Sequence, residues 1–239
     1  MWHTTSNVMQ RACFLALVIA SCLPCYSQFL PDLQAKTPAE YDAYLDVLDG
    51  PVLEKGATFE RDFPLSSLRL PVCELLTREW RTRGQREQAI AAAERGLAIA
   101  PDYIPLLVEV ADLLANGSHG LDRATQAAQH ALQLLDRAKA PLRIAAEDWT
   151  AAVAKLRARA HTALGIVQFK KDDRDGAMKA FQAALAAGGG DDPMLHYRLG
   201  RLYAVNGQLA DARRELEHAA LSPDKLLRDL ARKALAELK

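Results

Sequence analysis

The sequence lacks net charge, is poor in aromatic residues and has only four cysteines, whose placement suits neither a metal site nor a disulfide framework. Lys plus Arg and Asp plus Glu number 30 each, so the charge gives no reason to expect a nucleic acid as partner. Three of the four cysteines lie in the first 25 residues, and Cys73 is the fourth. No cysteine spacing therefore suits a zinc site. Aromatic residues make up 6% of the chain while alanine and leucine dominate, which favours helices.

The chain also lacks a long hydrophobic run. Residues 12–20 are apolar, but spanning a bilayer takes about 20 such residues. Arg11 precedes this run and small residues follow it, which is the pattern of a secretory signal. The small side chains of Cys25 and Ser27 favour cleavage after Ser27. Residues 1–27 are therefore predicted to be a signal peptide, and the mature protein is predicted to be periplasmic or secreted.

The N-terminus has a second interpretation. Residues 19–22, Ile-Ala-Ser-Cys, resemble the bacterial lipobox, in which the cysteine becomes the lipidated first residue of the mature chain. Residues 1–21 would then be a lipoprotein signal, and Cys22 would anchor the protein in the outer membrane. An uncleaved anchor is the third alternative. Beyond this segment, no stretch is long and apolar enough to cross a membrane.

Four windows of the chain repeat one spacing of small residues. Each window has a small residue, then an alanine 12 or 13 positions later, then another small residue seven positions after that. In chain order the three sets are Thr77, Ala111, Gly165 and Gly200; Ala89, Ala124, Ala177 and Ala212; and Gly96, Ala131, Ala184 and Ala219. Helices packed about 8–10 Å apart need small side chains where their axes come closest. The spacing predicts helix pairs in which Gly165 meets Ala177 and Gly200 meets Ala212.

This spacing resembles the tetratricopeptide repeat, a helix–turn–helix unit of about 34 residues. The fourth window matches best, with Gly200, Tyr203, Gly207 and Ala212 close to the consensus positions. The resemblance covers roughly residues 70–226. It implies an all-α fold, a right-handed α-solenoid of stacked antiparallel helix pairs, because no single pair buries its apolar face alone.

The predicted repeat domain covers residues 37–239 and follows a linker at residues 28–36. Its repeats are predicted at residues 37–65 (degenerate), 70–103, 104–137, 158–191 and 193–226, with a capping helix at 223–238. The second and third of the four windows are separated by more residues than one repeat contains. The extra residues are predicted to form a loop around Pro141 and one long helix that begins near Glu147. In the capping helix, four leucines are predicted to pack inward: Leu226, Leu227, Leu230 and Leu235. Residues 63–66, Phe-Pro-Leu-Ser, resemble a turn between repeats of periplasmic tetratricopeptide proteins.

No residue pattern predicts catalysis, a metal or a cofactor. None of the six histidines lies four residues from another, so no pair forms a metal-binding helix face, and His161 and His196 are predicted to pack. The glycines at 188–190 follow an alanine-rich helix rather than a strand, and they predict a turn rather than a phosphate cradle. Residues 172–176 lack the frame of a calcium loop. Cys73 is predicted to be a buried, inert thiol, and the chain is predicted not to be an enzyme.

The resemblance implies a function in protein binding. In this family the first helices of the repeats line a concave groove that holds a peptide or helix of a partner. The matching positions here are Glu74, Arg78, Arg81, Asp112, Asn116, Arg159, Thr162, Ile166, Phe169, Tyr197 and Arg201. Arg159, Tyr197 and Arg201 are candidates for holding an acidic or C-terminal peptide, and Ile166 and Phe169 for taking an apolar anchor. A solvated helix face is the alternative interpretation.

These observations predict a non-catalytic protein–protein interaction scaffold at the cell envelope, with a protein or peptide as partner. The alternative is a lipid-anchored accessory in assembly or transport at the outer membrane.

Overall fold

The computed structural model describes residues 33–140, 144–189 and 192–238. The predicted signal peptide, Cys22 and Pro141 lie outside the described residues. The described part contains eleven helices and no strand. The helices are α1 (Pro38–Asp49), α2 (Val52–Asp62), α3 (Arg69–Thr82), α4 (Arg86–Ile99), α5 (Ile104–Asn116), α6 (Leu121–Arg137), α7 (Ala146–Lys170), α8 (Arg174–Ala184), α9 (Pro193–Val205), α10 (Leu209–Ala219) and α11 (Lys225–Glu237). A short π-helical segment, Leu185–Gly189, continues α8.

Four helices begin at side-chain caps that the local sequence supplies. Glu40 N donates a hydrogen bond to Thr37 Oγ1 at 3.1 Å, at the start of α1. Asp173, Asp192 and Asp224 cap α8, α9 and α11 in the same way. Each cap satisfies backbone donors that the first turn leaves unpaired and contributes about 1 kcal/mol. The starts of these four helices are therefore set locally.

Consecutive helices pack as pairs: α1 with α2, α3 with α4, α5 with α6, α7 with α8, and α9 with α10. Neighbouring pairs meet through α2 and α3, α4 and α5, α6 and α7, and α8 and α9, while α11 packs on α10 and α9. A long core runs from Leu70 to Ala212, and a smaller one surrounds Tyr44 and Phe59 in the first two pairs. Trp80 packs against both. Contacts between successive pairs of this kind define an all-α solenoid.

The two glycines of the repeat lie where paired helices touch, as the spacing predicts. A Cβ at Gly200 would lie 3.2 Å from Ala212 O and 2.7 Å from Leu216 Cγ, so the predicted contact with Ala212 is confirmed. At Gly165, by contrast, the nearest atoms belong to the ring of Phe181. Phe181 follows Ala177 by one turn of α8, and its ring is large enough to reach across to Gly165.

The long helix α7 spans the predicted insertion and the start of the third window. It has 25 residues, a length of about 37 Å, and its start at Ala146 is one residue from the predicted Glu147. Its N-terminal half packs on α6, where Arg157 pairs with Asp136 at 2.8 Å. It also approaches the π-helical segment closely, since a Cβ at Gly188 would lie 3.1 Å from Ala154 Cβ.

The capping helix α11 buries only part of the predicted face, with the inward orientation of Leu227 confirmed. Leu227, Ala231 and Ala234 are buried, whereas Leu226 is 70% exposed and Leu230 is 40% exposed. The inward orientation predicted for Leu226 and Leu230 is therefore wrong. The buried stripe contains two alanines because they let α11 approach the preceding pair closely.

Candidate functional site

The predicted groove residues all lie on the first helix of a pair. They come from α3 (Glu74, Arg78, Arg81), α5 (Asp112, Asn116), α7 (Arg159, Thr162, Ile166, Phe169) and α9 (Tyr197, Arg201). We call the surface that these four helices share the first-helix face. Side-chain contacts show directly that three of the helices share it, because ion pairs join α3 to α5 and α5 to α7.

Glu109 of α5 is the centre of these contacts. Its carboxylate pairs with Arg81 of α3 at 3.2 Å and with Arg159 of α7 at 3.0 Å. Arg159 also lies 3.7 Å from the carboxylate of Asp112, which accepts a hydrogen bond of 2.9 Å from Asn116 Nδ2. Ion pairs and a hydrogen bond therefore link five residues on this face, in part across helix boundaries.

Glu74 is a structural group rather than an accessible one. It is 5% exposed, and its carboxylate accepts hydrogen bonds from the hydroxyl of Tyr103 at 2.6 Å and from Arg78 at 3.2 Å. Burial raises the pKa of Glu74, and the two hydrogen bonds offset part of this effect. The Glu74 side chain therefore links α3 to the start of α5 by a buried hydrogen bond. This contact stabilises the packing of the two helices below the first-helix face.

The two predicted apolar anchors differ in accessibility. Ile166 is 7% exposed and belongs to the long core, so it is not available to a partner, which corrects the prediction for this residue. Phe169, one turn later, is 57% exposed. Thr162 is half-buried and donates its hydroxyl to Ala158 O at 2.9 Å, and Tyr197 is also half-buried.

Arg198 of α9 is a residue of this face that sequence reasoning missed. Its side chain is half-buried, and burial lowers the pKa of its guanidinium, with Asp192 and Asp112 acting in the opposite direction. It follows Met194 by four positions and precedes Arg201 by three, which places the three on one side of α9. That spacing was available in the sequence, but only Tyr197 and Arg201 are predicted groove positions on this helix.

Arg201 borders a cleft at the C-terminal end of the stack. It lies 3.5 Å from Glu237 of the capping helix. The cleft has a volume of about 210 Å³ and lies between α9, α10 and α11. It is lined by Arg201, Ala204, Val205, Leu209, Leu216, Ala234, Glu237 and Leu238.

His196, His218 and Cys73 have packing roles. His196 Nδ1 lies 2.6 Å from Glu215 Oε2, and its ring stacks on His218 with centroids 4.9 Å apart. Cys73 is fully buried, and burial, followed by the charge of Glu60, raises the pKa of its thiol to about 12.

Within residues 33–140, 144–189 and 192–238, no three His, Cys, Asp or Glu side chains form a metal-binding group. None of the helices described is both long and apolar enough to cross a membrane.

Among known proteins, solved structures of low sequence identity are similar to this chain. No protein-family model matches the sequence, and no curated protein matches it. Among solved structures, TTC0263, a thermophilic TPR protein of Thermus thermophilus, is 21% identical over 77% of this chain and 89% of that one, with a TM-score of 0.49. MamA is 19% identical over 70% of this chain and 88% of that one, with a TM-score of 0.44. The Cut9–Hcn1 hetero-tetramer of APC/C has a chain 17% identical over 84% of this chain and 46% of that one, with a TM-score of 0.45.

The fold assignment rests on the geometry of the chain itself. Helix pairs follow one another in a linear stack, glycine occupies the close contacts at Gly165 and Gly200, and first helices share one charged face. With this architecture the described part of the chain is an all-α solenoid of stacked helix pairs.

Proposed function

We propose that this chain is a non-catalytic protein–protein interaction scaffold, exported to the cell envelope, that binds a peptide or helix of a partner on its first-helix face. The observation that carries the proposal is the set of ion pairs centred on Glu109, which fixes side chains of three successive first helices in one surface. A surface held in place before binding loses less conformational entropy when a partner docks.

The perturbed titratable groups support a scaffold rather than an enzyme. A catalytic acid, base or nucleophile must reach the substrate. Glu60 has a lowered pKa, but two arginines, Arg95 and Arg69, hold its carboxylate. Glu74 and Cys73 are buried beneath the surface. The pKa shifts of Glu60, Glu74 and Cys73 are therefore each caused by packing or ion pairing.

Site-specific photo-cross-linking tests the proposed face. A photoreactive phenylalanine analogue replaces Phe169 on the first-helix face or, as a matched control, the exposed Lys179 on the second helix α8. The tagged full-length protein is expressed in its host and irradiated. We expect discrete protein adducts from position 169 and none from position 179. Adducts of equal yield at both positions, or none at position 169, would contradict the proposal.

Export is the second part of the proposal, and its support is the sequence pattern of residues 11–27. The alternative is an outer-membrane accessory lipoprotein, favoured by the lipobox-like residues 19–22 and by the turn at residues 63–66. Mass spectrometry of the mature N-terminus separates the two. A free N-terminus at Gln28 supports ordinary secretion, a diacylated Cys22 supports the lipoprotein, and an unprocessed Met1 in the cytoplasm contradicts both.

A further inference from the structure

We propose that opposite ends of the helix stack bind each other in neighbouring copies of this chain, the acidic side of α1 in one copy docking on the basic, leucine-bearing side of α11 in the next. The occupant of each end is therefore a second copy of the protein. None of the predicted groove residues lies on α1 or α11, so this contact is separate from binding on the first-helix face.

The capping helix leaves apolar side chains uncovered. Leu226 is 70% exposed and Leu230 is 40% exposed, although the terminal element of a repeat stack ordinarily presents a polar outer side to water. Leu226, Leu230 and Lys233 follow one another at steps of four and three residues, which places them on one side of α11. Adjoining exposed apolar groups beside a charge are typical of an interaction site. These leucines therefore indicate that another surface docks on α11.

The charge of α11 is positive and only partly compensated. The helix carries four basic side chains and two acidic ones. Both acids have partners, because Asp229 pairs with Lys225 at 2.7 Å and Glu237 pairs with an arginine of α9 at 3.5 Å. Arg232 and Lys233 are exposed. Arg232 attracts Asp229 only at longer range, and neither Arg232 nor Lys233 forms an ion pair with a described residue.

Helix α1, at the other end of the described stack, has the opposite charge. It carries four acidic side chains and no basic one. Glu40 is buried, and Asp46 lies 3.6 Å from Lys55. Asp42 and Asp49 are exposed, and neither pairs with a basic group among the described residues. The uncompensated charge is therefore negative on α1 and positive on α11.

The two sides also match in the positions of their apolar groups. On α1, Leu45 follows Asp42 by three positions and precedes Asp49 by four, so it lies between the two carboxylates. On α11, Leu230 precedes Lys233 by three positions. The helices have 12 and 13 residues and lengths of about 18–20 Å. In an antiparallel contact Leu45 can therefore pack on Leu230 while Asp42 pairs with Lys233, which gives complementary charge around an apolar centre.

A contact between opposite ends has defined consequences for assembly. It is heterologous, so it joins copies into rings when the rotation between them closes and into open chains when it does not. Two helices of this length form a small interface, which favours weak and reversible association. Copies joined in series repeat the first-helix face, so a ligand with several binding segments gains avidity.

Charge reversal tests the contact on the full-length protein purified from its host. Sedimentation velocity from micromolar to millimolar concentration compares wild type with two double variants, Asp42→Lys/Asp49→Lys and Arg232→Glu/Lys233→Glu. We expect wild type to self-associate in this range. Each double variant should associate at least about tenfold more weakly, because like charges then face each other. An equimolar mixture of the two variants should regain association, since every end then meets an opposite charge.

A matched control separates this contact from a general effect of charge. Lys179→Glu/Arg213→Glu changes the net charge as much as the α11 variant does, at exposed positions on α8 and α10. It is expected to associate like wild type. Wild type that stays monomeric at millimolar concentration, a mixture without regained association, or equal loss in the control would overturn the proposal. Mixing cannot restore an unfolded variant, so regained association also shows that both variants are folded.

Zero-length carbodiimide cross-linking of a mixture of ¹⁴N- and ¹⁵N-labelled wild type tests the orientation. We expect an amide bond between Asp42 of one copy and Lys233 of another. Links between two copies of α11, or none between copies, would overturn head-to-tail docking. Wild type that binds phosphatidylglycerol vesicles through Lys233 but stays monomeric would show a membrane site instead and overturn the proposal. Photo-adducts from position 169 without self-association would refute only this contact, whereas self-association without those adducts would refute only the proposed function.

Discussion

Replacement of Gly165 by alanine tests whether paired helices touch at the recurring small residues. A Cβ at this position meets three atoms of the Phe181 ring, all closer than a normal van der Waals contact. Phe181 is 2% exposed, so the ring has no open space to enter. Overpacking of a core costs about 1–3 kcal/mol, and the contact with a rigid buried ring favours the upper part of that range.

The helix propensity of alanine acts in the opposite direction. Replacing an interior glycine by alanine stabilises a helix by about 1 kcal/mol. The difference between the two effects predicts that Gly165→Ala loses about 1–2 kcal/mol of unfolding free energy. Urea unfolding followed by far-UV circular dichroism measures this change. If Gly165→Ala is as stable as wild type or more stable, propensity dominates and the close-contact argument is refuted.

A double variant identifies the ring as the cause. Phe181→Ala alone removes a buried aromatic side chain and costs about 3–5 kcal/mol. In Gly165→Ala/Phe181→Ala the new methyl group projects into the space that the ring has left. The double variant is therefore expected to be no less stable than Phe181→Ala. Strictly additive losses would mean that the two positions do not interact.

Three further predictions concern packing and pH. Ala212→Leu should lose about 1–3 kcal/mol by overpacking at the Gly200 contact, whereas Ala236→Leu on the exposed side of α11 should lose none in the same urea titration. Leu227→Ala should cost about 2–5 kcal/mol and Leu226→Ala almost nothing, and equal losses would contradict the observed orientation of α11. The pKa of Glu74 is raised, so its contribution to stability is present below the ordinary value of 4.5 and lost as pH rises through the folded-state pKa. Glu74→Gln should therefore show a smaller fall in stability than wild type between about pH 4 and about pH 7.

Much of the fold could be predicted because its determinants are local. Thr37 and Asp224 cap helices within three residues of their own positions, and the start of the long helix follows from apolar residues at three- and four-residue steps beyond Trp149. The pairing followed from small residues separated by 12 or 13 positions, a distance that spans one helix hairpin. Such signals can be recognised in a sequence because each depends on residues that are close together along the chain.

The size of the side chain that faces each recurring small residue was harder to predict. It depends on that small residue, because the volumes of the two facing side chains compensate each other across the helix pair. Gly165 and Gly200 face the large Phe181 and Leu216, each 16 positions later in the chain. At the equivalent places of the first two windows, Thr77 and Ala111 are followed after 16 or 17 positions by Ala93 and Ala128, all four nearly or fully buried. A glycine allows a large opposing residue, and a larger first residue requires an alanine. The alanine 12 positions on is therefore only one of the residues that fill the contact.

The charge pattern of the first-helix face could not be predicted from sequence, because its partners lie far apart along the chain. Arg81 and Glu109 are 28 residues apart, and Arg159 reaches Glu109 from the other side. A list of groove positions counts each of these arginines as available to a partner. The structure shows instead that Arg81 and Arg159 both pair with the carboxylate of Glu109. Compensation of this kind depends on which helices the fold makes neighbours, so a list of charged positions along the sequence does not show it.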